Sequence, residues 1–165
     1  MATLAIDRMK AVDIMQRDLV TISRSETLRD ALALMTDDHV TGLPVMDEHS
    51  RCVGVVTATD ILNFEQDHSE ETTEANEEVA RYFDPDNQQW ENIRVSAFAL
   101  EEFGEVKIDE VMTTELVSVG RSTPLKEVAE RMIDAGVHRI LVLDDEKRLY
   151  GIISASDFVR LFAER

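Results

Sequence analysis

Two short stretches of the chain carry the same hydroxyl and carboxylate groups at the same spacing. Residues 54–60 read GVVTATD and residues 151–157 read GIISASD. Where such a stretch starts a helix, the first hydroxyl and the aspartate are typical of a capping box, in which each accepts a hydrogen bond from a backbone N–H. The same groups could instead form a binding site, so the spacing alone leaves two interpretations open. The groups are Thr57, Thr59 and Asp60 in the first stretch, and Ser154, Ser156 and Asp157 in the second.

Both stretches belong to a longer internal repeat. A shift of 97 positions (112 − 15 = 97) places Met15 on Met112, and the register holds without a gap to Phe64. Fifteen of the 50 positions from 15 to 64 are identical under this shift. Most of the other positions exchange like for like, such as Ile22 for Val119. The chain therefore contains two copies of one supersecondary unit.

The apolar periods within each copy predict the elements that position these groups. Residues 19–22 form a short apolar run typical of a strand. Leu28, Ala31, Leu32 and Met35 lie at i, i+3, i+4 and i+7, which is one face of a helix. Two strands are then predicted at 43–46 and 53–57, followed by a helix over 59–64. The corresponding ranges of the second copy are 116–119, the helix bearing Leu125, Val128, Ala129 and Met132, then 140–143, 150–154 and 156–162.

This order of elements predicts an α/β fold of the α+β type. Each copy reads strand, helix, strand, strand, helix, and one copy alone buries too little surface to be stable. We therefore expect the two copies to pack with pseudo-twofold symmetry. In the second copy, Thr123 and Pro124 predict an N-cap followed by proline at the first helical position.

The composition is that of a globular protein with a strongly acidic middle. The formal net charge is −17, and residues 65–105 alone carry 13 acidic and 2 basic residues. A field of this sign repels nucleic acid and anionic lipid. There is no apolar run long enough to cross a bilayer and no apolar signal-peptide core at the N-terminus, so we expect a cytoplasmic protein. Cys52 has no second cysteine to pair with, and the four histidines lack metal-ligand spacing, so we expect no metal site.

The order and duplication of the motifs resemble a tandem pair of CBS domains, also called a Bateman module. The resembling motifs are DIM at 13–15 and DEVM at 109–112, the strands LVTI and LVSV, GLPVMD and RILVLD, and the two endings already quoted. The resemblance covers residues 8–64 and 106–163, each as a β-α-β-β-α repeat. It leaves residues 65–105 as an insert.

The resemblance implies a site for an adenosyl ligand in clefts between the paired repeats. Asp60 and Asp157 would accept hydrogen bonds from ribose hydroxyls, and the neighbouring Thr57, Thr59, Ser154 and Ser156 would receive phosphate at a helix N-terminus. Thr21 and Ser118, inside the first strand of each copy, would line the adenine pocket. Each of these residues also has a structural interpretation, either as a cap or as a β-favouring side chain.

The pair His138 and Arg139 distinguishes the two copies. The family often places basic residues here to reach phosphates, and an arginine can bind phosphate oxygens through two hydrogen bonds. The first copy has Thr41 and Gly42 at these positions. The site with His138 and Arg139 is therefore the better nucleotide candidate, unless Arg139 instead pairs with a surface carboxylate.

These observations favour a regulatory module over an enzyme. The sequence shows no nucleophile–base pair, metal cluster or P-loop. We expect a homodimer without a cofactor that senses AMP, ADP, ATP or a similar adenosyl ligand and acts on a separate partner protein. The alternative is a ligand-free structural or interaction module that dimerises and presents the insert to a partner.

The insert has two different halves. Residues 65–78 are acidic and almost free of apolar side chains, which is typical of a loop or a frayed helix extension. Residues 79–103 hold five aromatic residues, so this half should pack against the module or against a partner. The aromatic residues are Tyr82, Phe83, Trp90, Phe98 and Phe103.

Overall fold

The computed structural model describes residues 6–68, 77–84, 89–96 and 103–164. These residues divide between two compact units. The central unit consists of residues 20–115, and the terminal unit consists of residues 1–19 together with 116–165. Among the described helices, none combines the length and the apolar character needed to span a membrane.

The elements of the first copy follow the predicted order. A short helix α1 precedes them, and a two-stranded hairpin of β4 and β5 follows. Their bounds are α1 Ala11–Ile14, β1 Ile22–Ser23, α2 Leu28–Asp37, β2 Gly42–Met46, β3 Cys52–Thr57, α3 Ala58–His68, β4 Glu77–Asp84 and β5 Gln89–Ser96.

The second copy repeats the order after a short 3-10 turn at Ile108–Glu110. The mixed α/β fold predicted from the repeat is thereby confirmed, with one three-stranded sheet in each unit. The bounds are β6 Ser118–Val119, α4 Leu125–Ala135, β7 Arg139–Leu143, β8 Leu149–Ser154 and α5 Ala155–Ala163.

The sheet of the central unit has the order β1-β2-β3. Strand β1 runs parallel to β2, with Ile22 opposite Val45, and β2 runs antiparallel to β3, with Gly42 opposite Thr57. Helix α2 buries Leu28, Ala31 and Met35 in the core, which are three of the four residues on the predicted face. The rest of the buried cluster is Ile22, Leu43, Val45, Val56, Ala58, Ile61 and Ile108.

The sheet of the terminal unit has the same form, in the order β6-β7-β8. Ser118 lies opposite Leu141 in the parallel pair, and Arg139 lies opposite Ser154 in the antiparallel pair. Helix α4 buries Leu125, Val128 and Met132, as its period predicts. The core also includes Ala11 and Met15, which come from the start of the chain.

The start of helix α4 differs from the prediction by one residue. Pro124 is itself the N-cap, with φ −59° and ψ 142°, and the helix begins at Leu125. The Thr123 hydroxyl accepts instead from the backbone N–H of Gly120 at 3.1 Å, which closes the preceding turn. The corresponding cap in the first copy, Thr27, accepts from the Asp30 N–H, so the register of the repeat places Pro124 at a cap position.

The segment before the first strand of each copy packs in the unit that contains the sheet of the other copy. We call it the opening segment; it includes Met15 and Gln16 in the first copy and Met112 and Thr113 in the second. Gln16 exchanges two backbone hydrogen bonds with Ile152 on β8, at 2.8 and 3.0 Å. Thr113 exchanges two with Val55 on β3, both at 2.9 Å. These pairs are related by the repeat, since 113 − 16 and 152 − 55 are both 97. The compact units therefore differ from the contiguous ranges 8–64 and 106–163 that the resemblance assigns to the two repeats.

The glycine that begins each seven-residue stretch, GVVTATD or GIISASD, leaves room for the opening segment. A Cβ on Gly151 would lie 2.8 Å from the Gln16 carbonyl oxygen and 2.8 Å from the Met15 Sδ. A Cβ on Gly54 would lie 2.7 Å from the Met112 Sδ and 3.0 Å from the Thr113 carbonyl oxygen. Both glycines are therefore required for close packing of the opening segment on the sheet.

The insert is partly described. Helix α3 continues to His68, so the first residues of the insert, 65–68, extend this helix. Strands β4 and β5 pair antiparallel, with Phe83 opposite Trp90, a hairpin that the sequence analysis did not predict. The predicted packing of Tyr82, Phe83, Trp90 and Phe98 concerns side chains outside the described residues. Phe103 does pack, with its ring centroid 5.7 Å from that of Phe64.

We predict that Gly151→Ala lowers the free energy of unfolding by about 1–3 kcal/mol, as expected for an overpacked core. The added methyl group would meet the backbone carbonyl of Gln16, a residue held by two backbone hydrogen bonds to Ile152, so the strain cannot be relieved by a side-chain rotation. Urea unfolding measures the difference. Gly120→Ala is the matched control, because its Cβ would meet Thr123 Oγ1 at a comfortable 3.8 Å. Equal stability of the two variants would contradict the packing role of Gly151.

Candidate functional site

In each unit, a capping box forms where the last strand of the sheet meets its following helix. Asp60 Oδ2 accepts from the Thr57 N–H and hydroxyl, both at 2.8 Å, and the Thr57 hydroxyl oxygen accepts from the Asp60 N–H at 3.2 Å. Asp157 Oδ2 accepts from the Ser154 N–H at 2.8 Å and from its hydroxyl at 3.0 Å. The Asp157 N–H donates to the Ser154 hydroxyl at 3.3 Å. The capping interpretation is thus confirmed in both copies.

The second carboxylate oxygen of each aspartate meets a side chain from an opening segment. Gln16 Nε2 donates to Asp157 Oδ1 at 2.8 Å. The Thr113 hydroxyl donates to Asp60 Oδ1 at 3.2 Å. These donors occupy equivalent positions of the repeat, since 113 − 16 = 97. Each aspartate therefore joins a helix N-terminus to a segment distant in sequence.

The two aspartates differ in their exposure to solvent. Asp157 is buried, with 7% of its surface exposed, whereas Asp60 is half-buried. Arg160, one helical turn along α5, approaches Asp157 Oδ1 to 3.8 Å. The equivalent position in the first copy is Asn63, which cannot form an ion pair. The terminal unit therefore encloses its carboxylate more completely.

The basic pair lies next to the cap of the terminal unit. Arg139 is opposite Ser154 in the pairing of β7 with β8, and the His138 carbonyl accepts from the Ala155 N–H at 2.9 Å. His138 is exposed and Arg139 is half-buried. Backbone geometry therefore places both residues beside the first turn of α5, where an anion would meet the positive end of the helix dipole.

The central unit has the same backbone arrangement without the charges. Gly42 lies opposite Thr57, and the Thr41 carbonyl accepts from the Ala58 N–H at 2.9 Å. The two sites are therefore alike in backbone and different in the side chains that a phosphate would meet.

The remaining predicted residues lie in the first turns of the two helices and in or next to the first strand of each copy. Thr59 is exposed and Ser156 is half-buried, each in the first turn of its helix. Ser118 is in β6, as predicted, and its carbonyl accepts from Arg131 Nη1 at 2.8 Å. Thr21 is exposed and precedes β1, which begins at Ile22, so its predicted place inside the first strand is wrong by one residue. The short parallel pairing with β2 starts only at Ile22, which lies opposite Val45.

Comparison with protein families supports the duplication. The model of the CBS domain matches this chain twice, at residues 11–67 and 108–164. The chain belongs to the CBS domain family. Both matches contain the strand–helix corner with its capping box, so the two aspartates lie within recognised CBS domains.

Two curated relatives of this chain are longer than it is. Inosine-5'-monophosphate dehydrogenase from Methanocaldococcus jannaschii is 25% identical over 151 residues, covering 92% of this chain and 23% of the relative. The chloroplastic protein CBSX2 from Arabidopsis thaliana is 27% identical over 146 residues, covering 88% and 59%. The chain thus spans between about a quarter and three fifths of the length of these relatives.

Solved CBS domain pairs share the fold. CBSX2 in complex with AMP matches with a TM-score of 0.66 and 24% identity, covering 94% of this chain and 98% of that one. The CBS domain pair of protein MJ0100, in complex with 5'-methylthioadenosine and S-adenosyl-L-methionine, matches with a TM-score of 0.64 and 22% identity, covering 94% and 97%. At these identities the likeness establishes the fold.

Gln16 and Thr113 were not among the site residues predicted from the sequence. Both directly follow the methionine that starts the repeat register, and both carry a hydrogen-bond donor. Their equivalent position in the repeat could have identified them, but one is an amide and the other a hydroxyl, so they are not identical under the shift. Their partners, Asp157 and Asp60, are also more than 50 residues away along the chain.

We predict that Thr57→Ala lowers the free energy of unfolding by about 1 kcal/mol, because it removes the hydroxyl that caps α3. Thermal or urea unfolding measures this loss. Thr59→Ala is the control, since Thr59 is exposed in the first turn of the same helix. A Thr59→Ala variant as destabilised as Thr57→Ala would argue against the capping role.

Proposed function

We propose that this CBS domain pair is a regulatory module that binds an adenosyl ligand and acts on a separate partner protein. The proposal rests above all on one observation, the placement of Arg139 opposite Ser154 at the N-terminus of α5. There a guanidinium and a hydroxyl lie at the positive end of the helix dipole and can meet a phosphate, while Asp157 offers a carboxylate for a ribose diol. The AMP complex of CBSX2 supports the ligand class.

The two units would differ in the ligand they prefer. The terminal unit has His138 and Arg139 and suits a nucleotide that carries phosphate. The central unit has Thr41 and Gly42 at these positions and a half-buried Asp60, which suits an adenosyl compound recognised mainly through its ribose. The complex of the MJ0100 CBS pair with 5'-methylthioadenosine and S-adenosyl-L-methionine provides a precedent for such ligands in this fold. In both units the ligand would be regulatory, and no catalytic role or cofactor is proposed.

We predict that Arg139→Ala weakens AMP binding to the terminal unit by about tenfold to a hundredfold, since a hydrogen bond to a charged group contributes about 1.5–3 kcal/mol. Binding is followed as amide shifts of Ser154 and Asp157 for this site, and of Thr57 and Asp60 for the other. Adenosine, which lacks the phosphate, should bind the variant and the wild type alike.

Lys126→Ala is the matched control, because it removes the same charge from an exposed position on α4. Equal weakening by both variants would indicate a general effect of charge. Unchanged AMP affinity in Arg139→Ala would remove the phosphate role of this residue. No shift with AMP, ATP or S-adenosylmethionine at millimolar concentration would overturn the sensor proposal and favour the ligand-free interaction module.

A homodimer is part of this proposal, and two helices of the terminal unit expose apolar side chains suited to such a contact. Ile133 on α4 is 77% exposed, and Val159 and Phe162 on α5 are 69% and 68% exposed. Large apolar side chains exposed on helices are typical of interaction sites. A second copy of the chain would cover them with the same helices in return, as symmetric dimers do.

We predict that the wild-type protein sediments as a dimer and that Phe162→Glu sediments as a monomer. A carboxylate at the centre of an apolar contact loses its hydration without gaining a partner. Analytical ultracentrifugation distinguishes the two states, with Lys126→Glu as a control for added negative charge. A wild-type monomer, or a Phe162→Glu dimer, would contradict the proposed interface.

A further inference from the structure

The capping box leaves only one aspartate oxygen for a ligand in each unit. In the terminal unit, Asp157 Oδ2 accepts two hydrogen bonds from Ser154. Asp60 Oδ2 accepts two from Thr57 in the same way. A carboxylate oxygen has two lone pairs, so Oδ2 is saturated in both units. A ribose diol would therefore have to bind mainly through Oδ1.

The two Oδ1 atoms are covered to different extents. Asp157 Oδ1 accepts from the Gln16 amide at 2.8 Å, and Arg160 lies 3.8 Å away. The Asp157 side chain is only 6% exposed. Asp60 Oδ1 accepts from the shorter Thr113 side chain at 3.2 Å, and Asp60 is half-buried. The accessible acceptor is thus in the central unit, and the enclosed one is in the unit with the basic pair.

The group that covers Asp157 can be removed without disturbing the core. Gln16 is exposed, and its backbone is held separately by the two hydrogen bonds to Ile152. The neighbouring Met15 is buried and anchors the segment. Rotation of the Gln16 side chain would therefore expose Oδ1 while the segment stays in place. Arg160 is itself 60% exposed and can move with it.

We propose that Gln16 is an autoinhibitory latch on the ligand site of the terminal unit. The latch is the hydrogen bond from Gln16 Nε2 to Asp157 Oδ1. The two hydroxyls of a ribose diol need both lone pairs of this oxygen, and the Gln16 amide occupies one of them. The diol therefore binds fully only after the amide has left, so part of the binding free energy is spent on opening the latch. In the central unit Asp60 Oδ1 accepts the longer hydrogen bond from the Thr113 hydroxyl, at 3.2 Å, so an adenosyl ligand binds there at a smaller cost. This inference rests on the proposed function, since it assumes a ribose at Asp157.

Gln16→Ala tests the latch with AMP as the probe. Loss of one competing hydrogen bond should tighten AMP binding at the Ser154 and Asp157 amides by about threefold to tenfold. Binding at the Thr57 and Asp60 amides should not change. Gln16→Thr, which introduces the residue of the other copy, should tighten AMP binding by an intermediate amount. It serves as a second variant if Gln16→Ala does not fold. Thr113→Ala is the control and should leave AMP affinity at Asp157 unchanged.

The outcomes separate the latch from the proposed function. Weaker AMP binding in Gln16→Ala would show that Gln16 contacts the ligand, and unchanged binding would show that it does not compete; either result overturns the latch. The hydrogen bond can also be tested without any ligand, because a bonded Gln16 side-chain amide exchanges with water more slowly than a free glutamine does. Exchange at the free rate in the unliganded protein would overturn the latch. Slow exchange with no adenosyl binding at either unit would leave the hydrogen bond standing and reject the sensor proposal.

Discussion

The arrangement of this protein depends on the pairing of each opening segment with the last strand of a three-stranded sheet. Gln16 pairs with Ile152, and Thr113 pairs with Val55, each through two backbone hydrogen bonds. This approach is possible because Gly151 and Gly54 have no Cβ at the points of closest contact. The glycine that begins each seven-residue stretch is thus a packing requirement. The first hydroxyl and the aspartate of the same stretch follow it three and six positions later.

The consequence for the site is that helix capping and ligand recognition use one carboxylate. The cap is a local interaction between residues three positions apart, and it would form with or without a ligand. It nevertheless fixes the direction of the carboxylate and leaves Oδ1 facing the opening segment. What reaches that oxygen then depends on a residue from a distant part of the chain, which is an amide in the terminal unit and a hydroxyl in the central unit.

Local patterns were the most reliable part of the sequence analysis. The apolar faces of α2 and α4, the strands around each polar turn and both capping boxes follow from side chains a few residues apart, and the structure has them in place. The errors were also local. Pro124 was predicted inside helix α4 but forms its cap, and Thr21 lies outside the first strand. The β4–β5 hairpin was missed, although the sequence between its two strands contains Pro85, Asp86 and Asn87, residue types that are common in turns.

The sequence by itself determined the duplication, the order of elements and the chemical difference between the copies at His138 and Arg139. These are properties of residue type and spacing, and the 97-residue shift makes them visible without coordinates. Only the tertiary structure decided which segment packs on which sheet, and therefore that Gln16 covers Asp157. The two residues are 141 positions apart, and no period or motif links them. Their contact exists because the opening segment of the first copy packs on the sheet of the second copy. Hydrogen bonds and packing over the whole unit stabilise that arrangement.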